Sequence, residues 1–309
     1  MNSMNKTIFV CVPTYREPKK VIDFLKSCEQ IRYAPFKLII VNANPGDETS
    51  KIIQREKYLV NYEIFEIDGQ SDEFWSATVN RGLKFILNYA NPEDWILLSN
   101  IDIKFNCDIV GSLFEQASQK HKVQVGAACV SSNNLISSGV QVKSWFTTLT
   151  KHPYAGYRID DIPQDLLLKV DYLPTRCMIF PVEAITEVGL IADKYLPHYG
   201  ADYEFSHRLA KAGYTPFIYF GASIEVDKKN TGKSIYSNQS TFSQRLSNLM
   251  DIKNPSNPKF RLVFIILVYP LYAIPTAIIA YFIRTLVEIS LEKKQISSIF
   301  GSQERGFSE

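Results

Sequence analysis

The chain has 309 residues, of which 46 % are hydrophobic and 21 % charged, and its formal net charge is +2. This composition excludes a disordered chain and suits one large α/β domain with an appendage, or two small domains. The near-neutral balance leaves no electrostatic case for nucleic acid as a main partner.

The N-terminal stretch "MNSMNKTIFVCVPTY" lacks a basic region followed by a long apolar core and a cleavage site, so it does not read as a signal peptide. "TIFVCV" instead runs into Pro13 and reads as a first buried strand. Similar β-branched and aromatic runs follow at 36–44, 60–68 and 94–102. The segments between them have helical spacing. In "PKKVIDFLKSCEQIRY" the apolar residues Val21, Phe24, Leu25 and Cys28 follow an i, i+3, i+4, i+7 pattern, and "DETSKIIQREKYL" and "SDEFWSATVNRGLKFILNYA" behave alike. Strand and helix alternating in this way predict βαβ crossovers and a mainly parallel sheet covered on both faces.

Further along, "KVQVGAACVSS", "SSGVQVKSW" and "LLLKVDYLPTRCMIF" read as strands joined by longer loops. Pro181 opens a helix that stops at Gly189, a second helix starts near "GADYEF", and "TPFIYFGASIEV" is a strand. Residues 227–259 are polar and rich in lysine, asparagine and serine, which predicts a loop leading into a linker. From Leu262 to Phe282 there is no charged residue, while Lys259, Arg261, Arg284, Lys293 and Lys294 flank the stretch. Roughly 20 apolar residues suffice to cross a bilayer, so this segment predicts membrane attachment, either by spanning or by lying kinked in the interface plane, with a buried core helix of the main domain as the alternative. The division expected is therefore a catalytic domain over 1–240, a polar linker over 241–260 and a membrane-associated helical region over 261–309. The five cysteines are scattered with no metal-binding spacing, which reads as free thiols in a reducing compartment.

An open parallel sheet binds its ligands beyond the C-terminal ends of its strands. That rule selects "PTYRE", "NANPGDE", "DGQSDEFW" and "SNIDIKF", each polar and each following a predicted strand. Neither a GxGxxG nor a GxxxxGK[ST] pattern is present, which disfavours a dinucleotide fold of the usual kind and a P-loop. Asp102 follows the buried run "WILLS", a position where one carboxylate can join substrate phosphates around Mg²⁺ or Mn²⁺. Asp202 and Glu204 fall in the first turn of a helix. By themselves they read as favourable charges at its positive end, with Glu204 and Arg208 as an i, i+4 pair.

"VPTYRE", "IIVNANPGDE", "FWSATVNRGL", "WILLSNID" and "RCMIFPVEAITEVGLIADKYLPHYGADYEFSHRLAKAGY" occur in the order and spacing of family 2 glycosyltransferases. The chain resembles most the bacterial rhamnosyltransferase-like branch, over about residues 6–235. The resemblance implies a GT-A fold, that is, a Rossmann-like, mainly parallel sheet flanked by helices. It also implies a nucleotide-diphosphate sugar donor, a divalent metal, inversion at the anomeric carbon, and a lipid-linked or nascent cell-surface glycan as acceptor. The expected location is the cytoplasmic face of a bacterial cell membrane. Carried over by position, Pro13, Thr14, Tyr15 and Glu17 would line the nucleotide, and Asn42 would meet the base. Asn80 and Arg81 would support the donor, and Asn100, Ile101 and Asp102 would occupy the Asp-X-Asp position, with Asp102 on the metal. Asp202 would be the catalytic base, with His198, Glu204 and Arg208 around the acceptor, and Asp227 a further candidate metal ligand.

The sequence departs from the family at four points. Asn42 and Asn100 stand where acids are usual, Ala201 replaces the glutamate before the base, and "EVDKKNTGKS" offers Asp227 but no histidine where many relatives carry one after the last strand. The first three departures keep open a membrane-anchored, non-catalytic sugar or nucleotide binder. A sugar nucleotidyltransferase is disfavoured, because the loop after the first strand reads "PTYREPKK" and has no glycine-rich turn.

Overall fold

The computed structural model describes residues 6–290 apart from 34, 106, 227–241, 253 and 255. The first half alternates strictly: β1 (Ile8–Thr14), α1 (Pro18–Cys28), β2 (Phe36–Asn42), α2 (Glu48–Glu56), β3 (Glu63–Asp68), α3 (Trp75–Tyr89) and β4 (Trp95–Ser99). The chain then runs through β5 (Ile103–Phe105), α4 (Ile109–Ser118), β6 (Val123–Ser131), β7 (Asn134–Leu135), β8 (Gln141–Ser144) and β9 (Leu149–Lys151). It continues with β10 (Leu167–Lys169), β11 (Cys177–Pro181), α5 (Val182–Val188), α6 (Ala201–Lys211) and β12 (Thr215–Val226). The predicted run "LLLKVDYLPTRCMIF" is thus two strands, β10 and β11, with a turn at Thr175 and Arg176 just before β11.

The main sheet has the order β10-β12-β6-β11-β4-β1-β2-β3. β1 pairs in parallel with β2 and β4, β2 with β3, and β6 with β12, while β11 is antiparallel to both neighbours. The register aligns Thr14 with Asn42 and Asn42 with Asp68, so the first three strands end together. Because β11 runs the other way, its first residue, Cys177, lies opposite Ser99, the last residue of β4. One edge of the sheet therefore collects the ends of β1 to β4 and the start of β11.

Successive side chains on a strand point to opposite faces, and each face carries its own core. Val10, Leu38, Leu97, Cys177 and Ile179 pack under α1, α2 and α4. Cys11, Ile39, Leu98, Met178 and Phe180 pack under α3, α5 and α6. All five cysteines are free thiols, four of them buried.

The C-terminal region departs from expectation. The predicted linker 241–260 contains a helix, α7 (Phe242–Leu249), and a turn in which Asn254 and Asn257 bond back to the carbonyls of Asn248, Met250 and Asp251. The apolar stretch is two helices, α8 (Pro258–Val268) and α9 (Ile274–Ser290), with Pro270 between them. A proline has no N–H to donate and is incompatible with a continuing helix. Among the described residues no helix is long and apolar enough to cross a membrane, so of the two modes of attachment expected for 262–282 the spanning one is not met. Nor is the region a separate unit. Phe264, Ile265, Val268, Tyr269, Ala277 and Tyr281 belong to the core that lies under α3 and α6. The other sides of α8 and α9 leave Ile266, Ile279, Phe282, Ile283 and Leu286 exposed, as are Leu271 and Tyr272 in the turn between the two helices.

Candidate active site

The sheet edge defined above is where the sequence-predicted residues gather, and each comes from a strand end. Thr14 ends β1. Its carbonyl accepts from Ala43 N–H at 2.9 Å, and its buried hydroxyl has no hydrogen-bond partner among the described residues. Pro13 precedes it in the strand. Tyr15 is exposed, with the Arg16 guanidinium 5.1 Å from its ring centre. Arg16 turns the chain through a left-handed φ of 53°, a conformation unfavourable for a residue with a side chain and one that concentrates at functional loops. Glu17 leads into α1 and pairs with Lys20.

Asn42 ends β2 fully buried. Its amide donates to Ser50 Oγ at 2.9 Å, and its oxygen accepts from Asn44 N–H at 3.0 Å. It therefore organises the 43–50 loop from within, and that loop closes on Asp47, which caps α2. Asn80 and Arg81 are also engaged internally. The Asn80 amide brackets Ile191, donating to its carbonyl at 2.8 Å and accepting its N–H at 3.0 Å, which ties α3 to the chain leading into α6. Arg81 makes a two-pronged ion pair with Glu73. Both line an open pocket of about 330 Å³ together with Ile67, Lys84 and Asp193, on the flank of α3.

At the end of β4, Asn100 N–H donates to the Arg176 carbonyl at 3.3 Å, and the Asn100 side-chain oxygen receives the Trp75 indole N–H at 3.4 Å. Ile101 is buried in the core on the α1 side, and the half-buried Asp102 follows it in the turn before β5. Mg²⁺ and Mn²⁺ need about six oxygens. Among the described residues, no three His, Cys, Asp or Glu side chains form a group able to hold an ion. Asp227 lies outside the described residues. An all-protein cage does not fit this donor set. An ion held by one carboxylate, with diphosphate oxygens and water completing the shell, does fit.

Asp202 stands in the first turn of α6, after Gly200 at φ 82°. A side chain at Gly200 would be strained by that φ, and its Cβ would lie 3.3 Å from the Phe264 ring, so glycine lets α8 close against the start of α6. Asp202 is half-buried. Loss of water around it raises its carboxyl from 3.8 to about 6, against the opposing pull of the Tyr203 N–H and the Arg176 charge. A carboxylate tuned upward by burial is the usual form of a general base working near neutral pH. The neighbouring Tyr203 hydroxyl bonds Ser137 at 3.2 Å, and Ser137 in turn meets His152 Nδ1 at 2.8 Å, so the loops around β7 to β9 wall the site. The His198 ring lies tilted against Tyr199, with ring centres 4.5 Å apart, just before the helix.

Glu204 is buried and takes both prongs of Arg208, at 2.8 and 3.0 Å. Arg208 also donates to the Val188 and Leu190 carbonyls. The pair fastens α6 to the end of α5, which is the helix-pairing role read from the spacing, and it assigns neither residue to the acceptor. His207, on the far side of Tyr172, is held neutral by burial, with its proton affinity lowered to about 4.

The residue that sequence reading missed is Arg176. It lies one position before β11, directly across from Asn100, and it is close enough to both Asp102 and Asp202 to feel their charge. A lone arginine between Thr175 and Cys177 carries no local signal. Only the antiparallel register of β11 brings it to the edge where the other strands end.

No family model matches the chain. It is 23 % identical over 217 residues to a galactofuranosyl glycosyltransferase of Leishmania donovani, a match covering 60 % of this chain and 50 % of that one, so the chain spans about half the length of this curated relative. Among solved structures, it is similar to GalNAc-T7 bound to UDP, GalNAc and Mn²⁺, with a TM-score of 0.57 and 11 % identity over 80 % of this chain and 48 % of that one. It is also similar to the mannosyltransferase PcManGT of Pyrobaculum calidifontis in complex with GDP-Man and Mn²⁺, with a TM-score of 0.51 and 13 % identity over 94 % and 78 %. At these identities the likeness is one of fold, and it agrees with the mainly parallel, helix-flanked sheet expected from the sequence.

Proposed function

We propose that the chain is a glycosyltransferase that moves a sugar from a nucleotide-diphosphate donor to a hydroxyl group with inversion at the anomeric carbon. Asp202 is its general base, and Asp102 is the protein ligand of a divalent metal. The observation that carries this reading is a carboxylate with its proton affinity raised to about 6 at the N-terminus of α6. It shares Arg176 as a charged neighbour with the carboxylate at the end of β4. The donor and metal are further supported by similar folds bound to UDP with Mn²⁺ and to GDP-Man with Mn²⁺.

An alcohol is a weak nucleophile at neutral pH. A single displacement at C1 therefore needs a carboxylate within hydrogen-bond reach to take the hydroxyl proton as the bond to the sugar forms. Asp202 is ionised at neutral pH yet basic enough to accept that proton. The oxygen leaving on the opposite side carries growing negative charge as an oxocarbenium-like transition state is reached. Bound at Asp102, a divalent metal supplies Lewis-acid stabilisation of that charge. Thr14, Tyr15 and the Asn42-organised loop form the nucleotide end of the cleft. Ser137, His152 and Tyr203 form the wall on the Asp202 side.

The acceptor in this reading is a lipid-linked or nascent surface glycan, with the enzyme held on the cytoplasmic face of the cell membrane through α8 and α9. The exposed Ile266, Ile279, Phe282, Ile283 and Leu286 of these helices, with Leu271 and Tyr272 of the turn between them, are apolar side chains of the kind that lie in a membrane interface. α8 packs on α6, so this surface and Asp202 belong to one rigid layer.

The test is incubation of purified protein with a panel of nucleotide sugars, Mn²⁺ and a lipid extract, with release of nucleoside diphosphate as readout. Asp202→Asn should abolish release while donor binding persists. Normal turnover by that variant would remove Asp202 from the base role. Donor binding without turnover by the wild-type protein would favour the non-catalytic reading that Asn42 and Asn100 keep open.

A further inference from the structure

We propose that Arg176 is an anion-binding residue that grips the diphosphate of the nucleotide and holds it without a metal ion. This rests on the glycosyltransferase reading and names a subsite within it. Three observations carry the inference. The first is orientation. Met178 and Phe180 of β11 point into the core shared with Ala201 and Phe205 of α6, whereas Cys177 and Ile179 point to the other face. Alternation places Arg176 on the α6 side, the side of Asp202, one residue beyond the strand and opposite Asn100.

The second is an unanswered guanidinium. Arg176 is half-buried, and among the described residues none of its side-chain nitrogens makes a hydrogen bond or ion pair, although the carboxylates of Asp102 and Asp202 bear on it electrostatically. The other arginines on this layer are used: Arg81 by Glu73, and Arg208 by Glu204 and two carbonyls. None of its nitrogens is both buried and unpaired, so the Arg176 guanidinium still reaches the cleft, and its fixed fork of donors matches paired phosphate oxygens.

The third is charge balance. Where two carboxylates hold a divalent ion, their charges cancel it, and the diphosphate diester of a sugar nucleotide brings two negative charges beyond that sum. Here Asn100 removes one carboxylate and Arg176 adds one positive charge. Asp102, a divalent ion and Arg176 then sum to a positive charge of two, which matches the diphosphate. With the ion removed, Asp102 and Arg176 cancel, leaving the arginine fork as the feature that still selects a diphosphate. As the sugar leaves, the nucleoside diphosphate gains a further negative charge, and the same fork strengthens on it.

The experiment is calorimetric titration of UDP, GDP, the matching nucleosides and inorganic pyrophosphate, with Mn²⁺ and again in EDTA, for wild type, Arg176→Gln and Arg176→Lys. Wild type should bind one nucleoside diphosphate, and pyrophosphate more weakly, in EDTA as well as in Mn²⁺. Arg176→Gln should lose about ten- to a hundredfold in affinity for the diphosphates in EDTA, with nucleoside affinity unchanged. Arg176→Lys should fall between, and unchanged melting curves and nucleoside binding would establish that both variants are folded. Diphosphate affinity unaltered in Arg176→Gln, or absent from wild type in EDTA while present in Mn²⁺, would overturn the role of Arg176 and leave the glycosyltransferase reading standing. Failure of wild type to bind any nucleoside diphosphate in Mn²⁺ would overturn both.

Discussion

Asp202→Asn should raise stability as it removes activity, and the gain should depend on pH in a defined direction. Folding raises the Asp202 carboxyl from 3.8 to about 6 through loss of water. The ionised form is therefore disfavoured in the folded state, and between those two values the folded chain holds more protons than the unfolded one. Stability consequently falls as pH rises through this window, and above about pH 6 the full penalty is present. Each tenfold change in proton affinity is worth about 1.4 kcal/mol, which makes the penalty ~3 kcal/mol near pH 8 and roughly half that near pH 5. Asparagine has the same shape and no charge, and its oxygen can still accept the Tyr203 N–H. Urea unfolding of wild type and Asp202→Asn in EDTA should show the variant more stable at both pH values, with the larger margin near pH 8. An equal margin at the two pH values, or a less stable variant, would refute the claim that desolvation tunes this carboxylate, and with it the physical basis for the base assignment.

Three further outcomes are expected. Wild-type kcat/KM should fall below about pH 6 as Asp202 takes up its proton, with a slope of one on logarithmic axes, and a profile flat to pH 5 would remove a base of this affinity. Arg208→Ala should cost about 3 kcal/mol in urea unfolding, because it leaves Glu204 buried and uncompensated and frees the Val188 and Leu190 carbonyls. A cost below about 1 kcal/mol would mean that the pair is a surface contact. Ile279→Glu combined with Ile283→Glu, two exposed positions one turn apart on α9, should abolish flotation of the protein with anionic phospholipid vesicles while nucleotide binding in solution stays intact. Undiminished flotation would separate the apolar surface of α9 from membrane binding.

The sequence alone determined the alternation of strand and helix through β4, the parallel sheet, and the polar segments that follow its first four strands. Period and burial pattern are local, so they can be read without knowing which strand lies beside which. For the same reason Asp102 and Asp202 could be singled out: one follows a buried strand, and the other opens an amphipathic helix after a glycine. The tertiary structure alone decided how these residues are used. Asn42 and Asn80 are hydrogen-bonded to their own scaffold, and Glu204 and Arg208 form an internal clamp. The apolar stretch after Leu262, uniform in composition, is divided at Pro270 into one helix pressed on the core behind Gly200 and another with an exposed face. Arg176 had no signal in its neighbours. Its place depends on β11 running antiparallel to β4, a pairing between segments some 80 residues apart along the chain. Local pattern fixes which face a residue takes, and only long-range register decides which residue it meets there.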